Sequence, residues 1–114
     1  MINLNPLEEY NGISYNMNMI QSFSDKATED IFDGVNSRAS RKIPRSIWKV
    51  AQRKLAHVNS AMSLKDLAAI PGDRLKKLEG RLSEFYSIRI NDQFRIVFRW
   101  SQNQFIDVRI TDYH

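Results

Sequence analysis

The strongest pattern in the chain is an alternation of apolar and polar positions towards its C-terminal end. In "FYSIRINDQFRIVFRW", Tyr86, Ile88, Ile90, Phe94, Ile96, Phe98 and Trp100 all fall at even positions, and in "QFIDVRITDYH" so do Ile106, Val108 and Ile110. Successive side chains of a strand point to opposite faces, so each set lies on one face of its strand. For the sets to share one face of a sheet, each hairpin loop must hold an odd number of residues. Three-residue loops, Asn91-Asp92-Gln93 and Ser101-Gln102-Asn103, meet that condition. The odd positions then carry Arg89, Arg95, Arg99 and Arg109 on the other face, with Arg95 opposite Arg89 on one side and Arg109 on the other. Like charges directly across strands are destabilising. Such a row counters a polyanion, pairs with carboxylates such as Asp107 and Asp112, or faces water in a different register.

Upstream, the period changes from 2 to 3.6. Ile47, Ala51, Leu55, Val58 and Met62 fall within a narrow arc at 100° per residue, which predicts a helix from Pro44 to about Ser63. Arg45, Lys49, Arg53 and His57 form the opposite stripe, read as a solvated face, and Trp48 borders the apolar arc as packing. "MIQSF" (19–23) reads as a short strand, after which Ser24 caps a helix bearing Ala27, Ile31 and Phe32 on one side and closed by Gly34. In "AIPGDRLKKLEGRLSE", Pro71, Gly72 and Gly80 break the chain around a basic cluster of Arg74, Lys76, Lys77 and Arg81. The predicted fold class is α+β: two N-terminal helices on one face of a small, twisted, mainly antiparallel β-sheet, the other face arginine-rich.

Composition narrows this picture. A chain of 114 residues suits one domain. It has no run of about 18 apolar residues, so no transmembrane helix is expected. "NPLEEYNG" lacks the basic start and apolar stretch of a signal peptide. Cysteine is absent and only His57 and His114 are imidazoles, which argues against disulfides, thiolate chemistry and a His-rich metal site. A cytoplasmic protein without metal or cofactor is the simplest expectation. Residues 1–18 have no sustained periodicity and are excluded from the core as a leader or flexible extension, the domain running over 19–114. The net charge of +4 hides an asymmetry: residues 1–40 carry a balance of −4 and residues 41–114 a balance of +8. That surplus points to a polyanionic partner, RNA or DNA first.

From Met19 onward the chain resembles the HigB toxins of the RelE/ParE superfamily. The likeness is carried by "MIQSF", "PGDRLKKLEG", "YSIRINDQFRIVFRW" and a terminal "DYH", most specifically by "SIRINDQFRI" and the closing Tyr-His. The resemblance implies a RelE-like fold and a ribosome-dependent mRNA endonuclease that blocks translation. It implies a HigA-type helix-turn-helix antitoxin as partner, ribosome and mRNA as targets, and contact with operator DNA only through the antitoxin. By motif, Arg95 corresponds to the family's catalytic arginine, and Asp112, Tyr113 and His114 to its terminal active-site residues. The chain also departs from the family. Some HigB proteins carry a histidine and a lysine in a loop reading "LHPLKG", where this chain has "LKKLEG", with Lys76 at the histidine's place and Glu79 at the lysine's. A lysine holds phosphate well, but it is a poor general base unless its pKa is lowered substantially.

The chemistry so implied is attack by the substrate's own 2′-hydroxyl. It needs a base for that proton, cations around the phosphorane-like transition state and an acid for the 5′-oxygen. His114 titrates near neutrality and is the first choice for proton transfer, with Asp112 to orient it. Arg95 suits charge stabilisation, Tyr113 stacking or phosphate contact, and Arg74, Lys76, Lys77, Arg81, Arg89 and Arg109 backbone positioning. Parity puts Tyr113 on the Arg95 face and His114 on the opposite one, so the strand must end or twist before the last residue. Two other readings compete: a non-catalytic ParE-type toxin that binds a protein such as DNA gyrase, and a plain RNA- or DNA-binding module. Only the nuclease needs the basic loop, Arg95 and the terminal Tyr-His together.

Overall fold

The computed structural model describes residues 20–82 and 84–113. The expectations for the 1–18 leader and for His114 lie outside these residues. The first helix, α1 (Lys26–Asp33), is opened by Asp25, whose carboxylate accepts the Thr28 amide at 2.8 Å. Ser24 is not the cap; its amide is engaged by the Val108 carbonyl instead. Gly34 closes α1 in the left-handed region (φ 74°), where a residue without a Cβ is least strained.

The second helix, α2 (Trp48–Ser60), follows a 3₁₀ turn at Arg45–Ile47 and buries Ala51, Leu55 and Val58. It is shorter than its hydrophobic period predicts. The chain extends at Ala61, and Ser63 caps a new short helix, α3 (Leu64–Ala68). Asp66 returns a carboxylate oxygen to the Met62 amide at 2.8 Å, which rewards the break with a second satisfied donor. Met62 is therefore 68% exposed, and Ala61 takes a place in the core.

The sheet is an antiparallel meander, β1 (Lys76–Lys77), β2 (Phe85–Arg89), β3 (Phe94–Ser101) and β4 (Gln104–Asp112), in that spatial order. Residues 20–24 lie parallel to β4, with hydrogen bonds from Gln21 to Phe105, Val108 to Ser22 and Ser24 to Val108, and a bridge at Phe23. The helices cover one sheet face. Ile31, Ala51, Leu55 and Val58 pack with Ile88, Ile96, Phe98 and Val108 in a single core cluster. Each fully buried Val, Leu, Ile or Phe side chain among them contributes roughly 1.5–3 kcal/mol, and Ala51 less.

The β2–β3 register is as parity predicts: Arg89 faces Arg95 and Ile88 faces Ile96 across a three-residue loop. Asn91 makes this loop by accepting the Gln93 and Phe94 amides, at 2.9 and 2.7 Å, on its side chain. The β3–β4 hairpin departs from prediction. Its loop is the two-residue turn Gln102-Asn103, both at positive φ (51° and 63°), as this tight hairpin type requires. A bulge then restores the parity. Val97 faces Arg109 and Arg99 faces Ile106, so Asp107 and Val108 together oppose Phe98, with Asp107 at φ 53°. Phe105, not Ile106, is consequently buried, and Arg95 lies opposite Thr111 rather than Arg109. The arginine-bearing face is also not uniformly open, because Ser87 and Val97 on it are buried.

Candidate functional site

Cross-strand register assembles the site. Lys76 faces Ser87, Ser87 faces Val97 and Val97 faces Arg109, forming one row on the face away from the helices. Arg95 lies one step along β3 and reaches diagonally back to this row. Its Nε donates to Ser87 Oγ at 2.7 Å, and one terminal nitrogen donates to the carbonyls of Arg74 (2.8 Å) and Ser87 (3.4 Å). Burial pushes the Arg95 guanidinium pKa below the usual arginine value; the Tyr113 phenol opposes that shift, and the charges of Arg89 and Arg74 add to it. An arginine still stays protonated at physiological pH, so the charge is present and partly desolvated.

Tyr113 completes the cluster. Its amide donates to the Gln93 carbonyl at 2.7 Å, continuing the β3–β4 pairing one residue beyond the strand. The ring then lies 5.9 Å from the Arg95 guanidinium and 5.4 Å from Lys76 Nζ, within cation–π range of both. An open groove of about 350 Å³ runs along this edge, lined by Lys76, Lys77, Leu78, Glu79 and Tyr113. Asp112 faces Phe94 and accepts the Gln93 side-chain amide at 3.0 Å.

The predicted site residues thus separate into groups. Arg95, Tyr113 and Lys76 come together, with Lys77 and Glu79 beside them in the groove. Arg74 contributes its backbone carbonyl to Arg95 from a left-handed turn (φ 46°), and its side chain is exposed. Arg81 is exposed in the turn Gly80–Leu82. Arg89 is ion-paired with Asp92 in the adjoining loop, so part of its charge is answered locally. Arg109 shares the Ser87–Val97 row and does not lie beside Arg95 in the pairing. Arg99, on the same face, pairs with Glu84 at 3.1 Å and Asp107 at 3.0 Å. Carboxylate pairing, one of the alternatives raised for the arginine row, therefore holds at Arg99.

Sequence reasoning missed the support beneath the site. Lys54, on the buried side of α2, forms an ion pair with Asp73 at 3.2 Å and donates to the carbonyls of Gly72 (2.8 Å) and Arg89 (2.6 Å). His57 Nδ1 lies 2.9 Å from the same fully buried Asp73, so His57 is a half-buried partner and not part of a solvated stripe. This network fixes the turn Pro71–Asp73 that delivers the Arg74 carbonyl. The signal was present: with Ala51, Leu55 and Val58, position 54 completes an i, i+3, i+4, i+7 pattern, in which lysine reads as polar. Trp48 is packing, as expected, and its indole donates to the Ile43 carbonyl at 2.8 Å.

The family model and a curated relative identify the family. Residues 21–114 match the family model described as the RelE-like toxin of type II toxin–antitoxin system HigB. Toxin HigB-1 of Vibrio cholerae serotype O1 is 38% identical over 82 residues, spanning 72% of this chain and 84% of that protein. An uncharacterised protein of Haemophilus influenzae is 35% identical over 63 residues, spanning 55% of this chain and 62% of that protein. Among solved structures, the YoeB–YefM complex from Staphylococcus aureus aligns at a TM-score of 0.47 and 16% identity, over 83% of this chain and 97% of that one. The chain belongs to the HigB-like toxins, the RelE-like toxin family of type II toxin–antitoxin systems.

Proposed function

We propose that this toxin is a ribosome-dependent mRNA endonuclease that arrests translation in the cytoplasm. The observation that carries the reading is the convergence of the Arg95 guanidinium, the Tyr113 ring and the Lys76 ammonium at one groove. In the proposed reaction the 2′-oxygen attacks the adjacent phosphorus and the bond to the 5′-oxygen breaks, leaving a 2′,3′-cyclic phosphate and a free 5′-hydroxyl. Arg95 holds the charge that builds on the non-bridging oxygens, and its fixed plane costs no reorganisation during the step. Tyr113 stacks on a base or hydrogen-bonds the phosphate, while Lys76 and Lys77, with Arg74, Arg81, Arg89 and Arg109 around them, hold the backbone. His114, the residue after Tyr113, is the proposed proton carrier, and Asp112 its orienting partner.

A HigA-type helix-turn-helix antitoxin is the proposed neutralising partner, with operator DNA reached only through it. The test is to map mRNA 5′ ends after brief induction of the wild-type toxin and of Arg95→Ala. Discrete new ends that appear only with wild type support the reading. A toxin that halts replication while leaving messages intact is a gyrase-type inhibitor, and that result ends the nuclease reading.

A further inference from the structure

Among the described residues, Arg95 is held by uncharged groups. Nε has the Ser87 hydroxyl at 2.7 Å, and one terminal nitrogen has the Arg74 and Ser87 carbonyls. Two nitrogens fixed in this way define the plane of the guanidinium. Nη1, the remaining terminal nitrogen, donates to no oxygen of the described residues. Ser87 is 0% exposed, and its neighbours by register are Lys76 on one side and Val97 on the other. A serine so placed has no solvent to serve, and its hydroxyl lies under a cation whose partners could have been carboxylates. The same strand shows that alternative at Arg99, which lies between Glu84 and Asp107. A carboxylate at position 87 would orient Arg95 equally well, but it would neutralise the positive charge that a phosphate must meet.

We propose that Ser87 is a positioning residue for Arg95: a buried neutral acceptor that fixes the guanidinium plane, leaves its charge uncompensated and reserves Nη1 for the substrate phosphate. This rests on the nuclease reading above. Removing the hydroxyl takes the Ser87 acceptor away from Nε and frees the guanidinium to rotate. The loss falls on the turnover step, because a misoriented cation still attracts RNA but meets the transition state badly.

The experiment uses the purified full-length chain and bacterial ribosomes programmed with a short message, comparing wild type, Ser87→Ala, Arg95→Lys and the double variant. Loss of one hydrogen bond to a charged group predicts about a 10- to 100-fold fall in kcat for Ser87→Ala, with KM within about twofold. In the Arg95→Lys background, which has no Nε fork to orient, the same change has no further effect. Exchange of the Arg95 Nε proton, followed by NMR, is slow in wild type and fast in Ser87→Ala while backbone resonances stay dispersed. If Ser87→Ala cleaves like wild type but Arg95→Lys does not, the positioning role is overturned and the nuclease reading stands. If Ser87→Ala costs as much in the Arg95→Lys background as alone, its effect is general to the fold and the proposal also fails. If Arg95→Lys is fully active, the reading beneath it fails too.

Discussion

Arg95 and Arg99 leave the same face of β3, four residues apart, and are held in opposite ways. Arg99 lies between two partly exposed carboxylates, Glu84 and Asp107, and its guanidinium pKa is raised above the usual value, chiefly by the hydrogen bond to Asp107. Arg95 has a hydroxyl and two carbonyls, and its pKa is pushed down by burial. Both side chains are ordered by hydrogen bonds, but among the described residues only Arg99 has carboxylates for partners. The pairing partners, and not the arginines themselves, divide this face into a structural half and a candidate reactive half. A charge map of the sequence cannot make that division, because it scores the two residues alike.

The contrast breaks most severely from below. Lys54→Ala leaves Asp73 buried without its lysine and releases the turn that presents the Arg74 carbonyl. Losing one partner of a buried pair costs about 3–5 kcal/mol, to be read from urea or guanidinium unfolding. Arg95→Ala comes next. It is expected to lower cleavage on ribosomes about 10²–10³-fold, the range for removing a preorganised transition-state donor, while the chain still unfolds cooperatively. Arg99→Ala should change cleavage by less than about twofold and leave the unfolding midpoint nearly unmoved, since its partners are largely solvated. If Arg99→Ala proves as damaging to cleavage as Arg95→Ala, the division of the face is wrong.

A paired charge also carries a pH signature that a neutral cradle lacks, and Asp30 is the place to read it. The Lys26 ammonium at 2.7 Å and the Ser37 hydroxyl at 2.6 Å hold its carboxyl below the ordinary value of 3.8, and Asp30 in turn raises Lys26 above 10.5. A depressed carboxyl stabilises the fold above its unfolded pKa, and that contribution disappears as pH falls through the folded value. The raised lysine contributes below 10.5 and loses its share above it. Melting temperature should therefore fall as pH drops below about 4, and less steeply in Asp30→Asn. This is the smallest of the effects, and equal slopes for the two proteins would remove Asp30 from the acid response.

Much of this architecture was legible in the residues. Even-numbered Ile88, Ile90, Phe94, Ile96 and Phe98 announced the buried face of β2 and β3, and Ile47, Ala51, Leu55 and Val58 the packing side of the second helix. Odd parity also put Tyr113 on the Arg95 face, where the ring contact is found. What failed was set by single local interactions. The tight Gln102-Asn103 turn and the bulge at Asp107 each shift parity by one residue, so facing is regained over Val108–Thr111 and lost at Phe105 and Ile106, while the pairing moves by two and sets Arg95 against Thr111 in place of Arg109. Lys54 drew no reading, because a lysine does not mark a buried position by its type, and the one carboxylate and two carbonyls that satisfy its nitrogen come from distant segments. Ser87 drew no notice because a serine in a strand has no pattern of its own; its importance comes from what lies above it.

The bulge at Asp107 also makes β4 tolerant of a change in length. A one-residue deletion within a half-buried strand ordinarily exchanges its inner and outer faces from that point on. Here Asp107 is the surplus residue, and without it Phe105, Val108 and Ile110 would still alternate with Ile106, Arg109 and Thr111. Relatives one residue shorter at this point could therefore present the same core and the same groove. What they would give up is the carboxylate that occupies Arg99 and the amide that holds Ser22. In this strand, facing is decoupled from length, so aligned relatives should be matched by the direction their side chains point and not by residue count.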